Sequence, residues 1–178
     1  MTNQTNEIAN VINEVAAEIK EAKTETFGTW EEVSRDENYI TYKDNTTGKP
    51  IRKQIYKQIK TFNPQGRKEK VKMLSLLSEA TPFKKATGQI IMLGGFMTEP
   101  YTSIDEETNN LLHGVTTTLI SADMQTAFVT SSKTTYNSLM DIYNALGDEI
   151  IDLDDPLAIE ITSRKGDKGE IMDIKVKE

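Results

Sequence analysis

Between residues 88 and 177 the apolar positions fall into three extended runs, one group at helical spacing, and two further extended runs. GQIIMLGGFMT (88–98), LLHGVTTTLISA (111–122) and QTAFVTSS (125–132) are rich in β-branched and apolar residues and predict strands. Gly94 and Gly95, in the middle of the first run, predict a bulge or a sharp coil. PYTSIDEETNN (100–110) predicts a loop, and Asp123 and Met124 a tight turn. Tyr136, Leu139, Met140, Tyr143 and Leu146 then recur with helical period, with Ser131 or Ser132 as the N-cap and Gly147 at the end. PLAIEITS (156–163) and EIMDIKVK (170–177), joined by RKGDKG, predict a final hairpin. The order is strand, strand, strand, helix, strand, strand.

Upstream the pattern is more helical. Ile8, Val11, Ile12, Val15 and Ile19 predict an amphipathic helix over 7–23, and residues 24–37 read as a linker anchored by the single tryptophan, Trp30. Tyr39–Tyr42 favours a short strand, and DNTTG after it a turn. Pro50 suits a helix start, and Ile51, Ile55, Ile59 and Phe62 repeat at its period. A second helix is expected over 67–78. The division read from this pattern is an N-terminal extension, 1–81, and a domain, 82–178.

Composition fits a globular chain, with 37% hydrophobic and 28% charged residues among 178. Zero cysteines exclude disulfides and thiolate chemistry. The longest apolar run, IIMLGGFM, is far too short to span a membrane. The N-terminus lacks both a basic region followed by an apolar core and the acid-poor composition of a transit peptide, so a cytoplasmic protein is expected.

The net charge of −7 is unevenly distributed. Residues 1–37 carry three basic and nine acidic groups, residues 38–85 twelve and three, and residues 86–178 six and sixteen. A basic middle between acidic flanks is a polarised molecule able to present one face to phosphates.

The predicted element order is that of an OB-fold: a mainly β, five-stranded OB-like Greek-key barrel (β-β-β-α-β-β), here preceded by a partly helical extension. Such barrels hold single strands or oligosaccharides, and the residues favour the former. Lys49 to Lys72 contains nine Lys or Arg against one Glu, with Tyr56 and Phe62 interleaved. Basic grooves track a phosphate backbone while aromatic rings stack its bases. Arg52, Lys53, Tyr56, Lys57, Lys60, Arg67 and Lys68 are the candidates there. Arg164, Lys165 and Lys168 on the final hairpin, Lys84 and Lys85 before the first barrel strand, and Tyr101 and Phe128 as stacking rings complete the set.

Other chemistry finds little footing. A lone histidine, His113, cannot build a His-rich metal site, IDLDDP lacks the central Gly and distal Glu of a calcium loop, and no phosphate-binding Gly motif is present. No cofactor, metal or catalytic residue is expected. A different class of reading, an OB-like protein-interaction module working through the N-terminal helix and Trp30, is the alternative.

From PFKKATGQIIMLGGFMT through LLHGVTTTLISADMQTAFVTSS and TTYNSLMDIYNALG to PLAIEITSRKGDKGEIMDIKVK, about residues 82–177, the chain resembles single-stranded DNA-binding proteins of small phages and mobile elements of Gram-positive bacteria. The resemblance implies a non-catalytic OB-fold protein that coats single-stranded DNA during replication or recombination without sequence preference. It also implies self-association into a homo-oligomer and replication proteins as further partners.

Overall fold

The computed structural model describes residues 26–167 and 169–177, which form a mainly β structure with two α-helices. The helix expected over 7–23 and the candidate Lys168 lie outside the described residues. The chain gathers into two compact units. One comprises the described residues through Ile55 together with Ser103–Leu111, the other Tyr56–Thr102 with residues from Leu112 onward.

The first unit is a four-stranded antiparallel meander of β1 (Thr26–Phe27), β2 (Trp30–Arg35), β3 (Tyr39–Asp44) and β4 (Pro50–Gln54). Trp30, Ile40, Tyr42 and Leu111 form its core, with Phe27, Ile51, Ile55 and Ile104 packed against them. The β1–β2 turn needs Gly28, whose φ of +60° is unfavourable for residues with a Cβ. Asp44 fixes the β3–β4 turn by accepting from the Thr46 amide (3.0 Å) and the Thr47 hydroxyl (2.6 Å).

Two expectations fail in this unit. Within the stretch read as a linker, Thr26–Phe27 and Trp30–Arg35 are paired strands, and the helix expected from Pro50 to Phe62 is strand β4, a connection, and the short strand β5 (Ile59–Lys60). Ile51, Ile55 and Ile59 satisfy a helical period, but Ile51, Lys53 and Ile55 also alternate, and the Asp44 turn returns the chain alongside β3 with Tyr42 opposite Ile51. Pro50 is tolerated because β4 is the sheet edge, where a missing amide donor costs little.

The second unit follows the expected strand–strand–strand–helix–strand–strand order: β7 (Ile90–Ile104), β8 (Leu111–Ser121), β9 (Ala127–Thr130), a helix (Lys133–Leu146), β10 (Ala158–Gly166) and β11 (Gly169–Val176). Its sheet has seven strands, not five. The path is β11-β10-β7-β8-β9-β6, where β6 (Thr81–Pro82) pairs in parallel with β9, and β5 pairs with β7. The expected loop at 100–110 is strand in its first half: β7 runs on through Tyr101 to Ile104, and the chain reverses at Asp105–Asn109.

Helix α1 (Gly66–Ser78) buries Met73 and α2 (Lys133–Leu146) buries Thr135, Tyr136 and Leu139. Ser132 caps α2 through the Thr135 amide, and the hydroxyls of Ser132 and Thr135 both donate to the Met172 carbonyl of β11, at 2.6 and 2.9 Å. The main core lies among Phe83, Leu93, Phe96, Leu119, Leu139, Ile159 and Ile161.

Gly94 sits where a Cβ would lie 2.4 Å from the Ala122 Cα, an approach no side chain permits. Gly94→Ala forces backbone apart in a packed sheet, which costs about 1–3 kcal/mol or more. Thermal melting is expected to show a Tm drop of about 2–4 °C for each kcal/mol, and an unchanged Tm would refute the close approach.

Candidate nucleic-acid interface

Four aromatic residues distant in sequence converge in the second unit. Tyr56 lies on the connection leading into β5, Tyr101 on β7, His113 on β8 and Tyr136 in the first turns of α2. The Tyr56 ring centroid is 5.7 Å from that of His113, tilted by 31°, and 5.0 Å from that of Tyr136 in an edge-to-face contact. Such offset arrangements suit the ring quadrupoles.

Backbone and hydroxyl contacts hold the cluster. The Lys57 amide donates to the Tyr136 hydroxyl at 2.8 Å, so Tyr136, only 4% exposed, serves as an anchor. Buried Thr98 accepts from the Ile59 amide (3.0 Å) and donates to the Lys57 carbonyl (2.7 Å), tying the 57–59 segment to β7. Thr102 Oγ1 hydrogen-bonds His113 Nδ1 at 2.9 Å across the hairpin. Gly114 leaves room for the neighbouring tyrosine: a Cβ there would lie 2.6 Å from the Tyr101 hydroxyl. Tyr101 remains 41% exposed and Tyr56 and His113 are half-buried, so ring surface stays open to a ligand.

The basic candidates are spread over several elements. Lys57 is exposed next to Tyr56, and the Lys60 ammonium sits 4.9 Å from the Phe62 ring centroid. Arg67 and Lys68 are exposed on the first turn of α1, where Glu69 offsets their charge and its carboxylate accepts from the Gln65 amide at 2.6 Å. Lys84 and Lys85 are exposed on a short 3-10 turn anchored by buried Phe83. Arg164 and Lys165 stand exposed near the tip of the β10–β11 hairpin, with Lys165 opposite Glu170.

In the first unit, Arg52 and Lys53 are consecutive on β4 and so point to opposite faces of its sheet. Arg52 is paired with Asp36 at 2.7 Å and stacks over Tyr39 at 4.1 Å, whereas Lys53 lines the face that carries Trp30 and Ile51. Phe128, 7% exposed, packs in the main core. His113 and Tyr136 were not among the expected contacts. Only strand register brings residues 56, 101, 113 and 136 together, and no local pattern encodes it.

Asp105 and Asp123 are engaged within their own turns. Asp105 accepts from the Thr108 and Glu107 amides, and Asp123 from the Ser121 hydroxyl and the Gln125 amide. These hydrogen bonds hold both carboxyls below the usual range. Among the described residues no three His, Asp or Glu side chains converge as a ligand shell, and no helix is long and apolar enough to cross a membrane.

Burial pushes the Tyr56 phenol above its ordinary value, with Tyr101 and Tyr136 adding to the shift. A phenol whose folded pKa is raised contributes stability that is fully present below about 10, its unfolded value, and is lost as pH rises through the folded value. Phenolate absorbance on alkaline titration is expected to lose a late-ionising component in Tyr56→Phe. An unchanged titration curve in that variant would place Tyr56 in solvent.

No family model and no solved structure matches the chain. The single-stranded DNA-binding protein of Bacillus phage GA-1 is 32% identical over 150 residues, which cover 81% of this chain and 86% of that protein. The matched length exceeds the whole second unit, so the likeness takes in residues on both sides of the aromatic cluster. At this identity and coverage the chain belongs to the phage single-stranded DNA-binding protein family.

Proposed function

We propose that the chain binds single-stranded DNA without sequence preference and coats it during replication or recombination, with no catalytic step. The observation that carries this reading is the convergence of the open rings of Tyr56, Tyr101 and His113 next to Lys57 on a hydrogen-bonded sheet. Every base has a π-face, so stacking at such a platform is indifferent to sequence, and lysines neutralise the phosphates between stacked bases. Membership of the phage family supports the same ligand. It lends nothing to the interaction-module alternative.

The fold reading belongs to the proposal too. The pairing order β11-β10-β7-β8-β9, read as fifth, fourth, first, second and third of five principal strands, supports an open OB-like Greek key. β5 and β6 are short additions to it. In this reading residues 82–178 carry the barrel and residues 1–81 the extension. Lys84, Lys85, Arg67, Lys68, Arg164, Lys165 and Lys168 supply further phosphate contacts along the strand. The protein works in the host cytoplasm, with replication proteins and other copies of the chain as partners.

Fluorescence anisotropy with labelled oligothymidine at several salt concentrations tests the reading. Tyr101→Ala is expected to weaken binding by about 1–3 kcal/mol, the worth of one stacked base. Lys57→Ala with Lys60→Ala is expected to flatten the slope of log K against log salt by about 1.4, or 0.7 for each lost phosphate contact. Failure of the wild-type chain to bind at low salt would overturn the proposal.

A further inference from the structure

The first unit holds an open pocket of about 460 Å³, within the roughly 300–1,000 Å³ range of small-ligand sites. Trp30, Ile51 and Leu111 give it apolar walls, and Lys49 and Lys53 line it together with Asp44 and Asn110. The strand dictates this placement. Residues 49, 51 and 53 alternate with 50, 52 and 54, so Ile51 and both lysines share the face that carries the Trp30 core, while Arg52 is on the other.

We propose that this pocket takes one nucleotide of a bound single strand, with its base against Trp30, Ile51 and Leu111 and its two flanking phosphates against Lys49 and Lys53. The inference rests on the single-strand reading of the preceding section and adds a subsite in a unit that the tyrosine platform does not include. Four residues of extended chain separate the two lysines by about 13 Å, too far to clamp one phosphate and suited to bracketing a nucleotide. Among the described residues neither lysine is ion-paired, in contrast to Arg52, whose charge is met by Asp36.

Asp44 sharpens the orientation. Its carboxylate is engaged by the Thr47 hydroxyl and the Thr46 amide, which hold it ionised below the usual range. A fixed negative charge in the wall repels phosphate, so the phosphates belong at the lysines and the uncharged base belongs over the apolar residues. Asn110 offers an amide donor and acceptor to a base edge. The Trp30 ring is itself pinned, its Nε1 donating to the Asn109 carbonyl at 3.0 Å, so the apolar wall is in place before the ligand arrives.

Trp30 is the only tryptophan in the chain and therefore reports on this pocket alone. Tryptophan-selective emission is read while full-length protein is saturated with oligothymidine, with anisotropy of a labelled strand followed in parallel. Emission is expected to change on binding in the wild type. In Lys49→Ala/Lys53→Ala the change is expected to vanish, and the salt slope to flatten by about 1.4, while the emission of the unliganded variant stays as in the wild type. A strand that binds by anisotropy with Trp30 silent overturns the pocket and leaves the tyrosine platform standing. An emission change or salt slope that persists in the double variant does the same. Absence of strand binding by any readout overturns both readings.

Discussion

Strand β7 is the element on which the second unit depends, because its backbone donors and acceptors are shared out among three partners. Ile90–Met92 pairs with β10, Met97 and Thr98 pair with β5, and β8 runs alongside. A buried strand that left any of these groups unpaired would lose about 1–3 kcal/mol at each one. The change of partner between residues 92 and 97 falls on Gly94 and Gly95. Without side chains, these positions let Ala122 approach from one side and Phe62 from the other. The glycine pair, where a bulge or coil is expected, meets a demand for space.

The proposed platform inherits its precision from this arrangement. Thr98, on the β5-pairing stretch of β7, carries the segment that delivers Tyr56 and Lys57, and four residues further on Thr102 fixes the His113 ring. Gly114 is to Tyr101 what Gly94 is to Ala122, a missing Cβ that permits contact. Rings held in this way lose little further freedom on binding, so more of each stacking interaction appears as affinity. Electrostatics work locally on a chain of net charge −7. Asp36, Asp44, Asp105 and Asp123 are each satisfied by hydrogen bonds from nearby groups, which leaves the exposed lysines of the proposed interface free of these acids.

The sequence was most legible where period and punctuation agreed. Ser132, the Tyr136–Leu146 repeat and Gly147 marked α2, and the alternation after Pro156 marked the last hairpin. It misled where one set of isoleucines satisfied two periods. Ile51, Ile55 and Ile59 fit a helix as well as a strand, and only the Asp44 turn, which sets Tyr42 opposite Ile51, decides between them. That error spread to function, because a helix puts Arg52 and Lys53 on one basic surface and a strand separates them. Tyr56 and Tyr101 were recognisable as residues that stack, whereas their meeting with His113 and Tyr136 depends on long-range pairing that no window of sequence contains. Phe128 shows the converse: its ring type suited stacking, but its place on β9, between β8 and β6, sends it to the core.

His113 is the only histidine, so its imidazole ring protons give isolated NMR signals from the centre of the proposed platform. Titration of the full-length protein with oligothymidine at low salt, followed through those signals, is the most direct measurement of the central claim. The account requires the His113 resonances to shift in step with strand binding and to return when high salt releases the strand. Resonances that stay fixed while the strand is bound would show that DNA lies elsewhere and would contradict it.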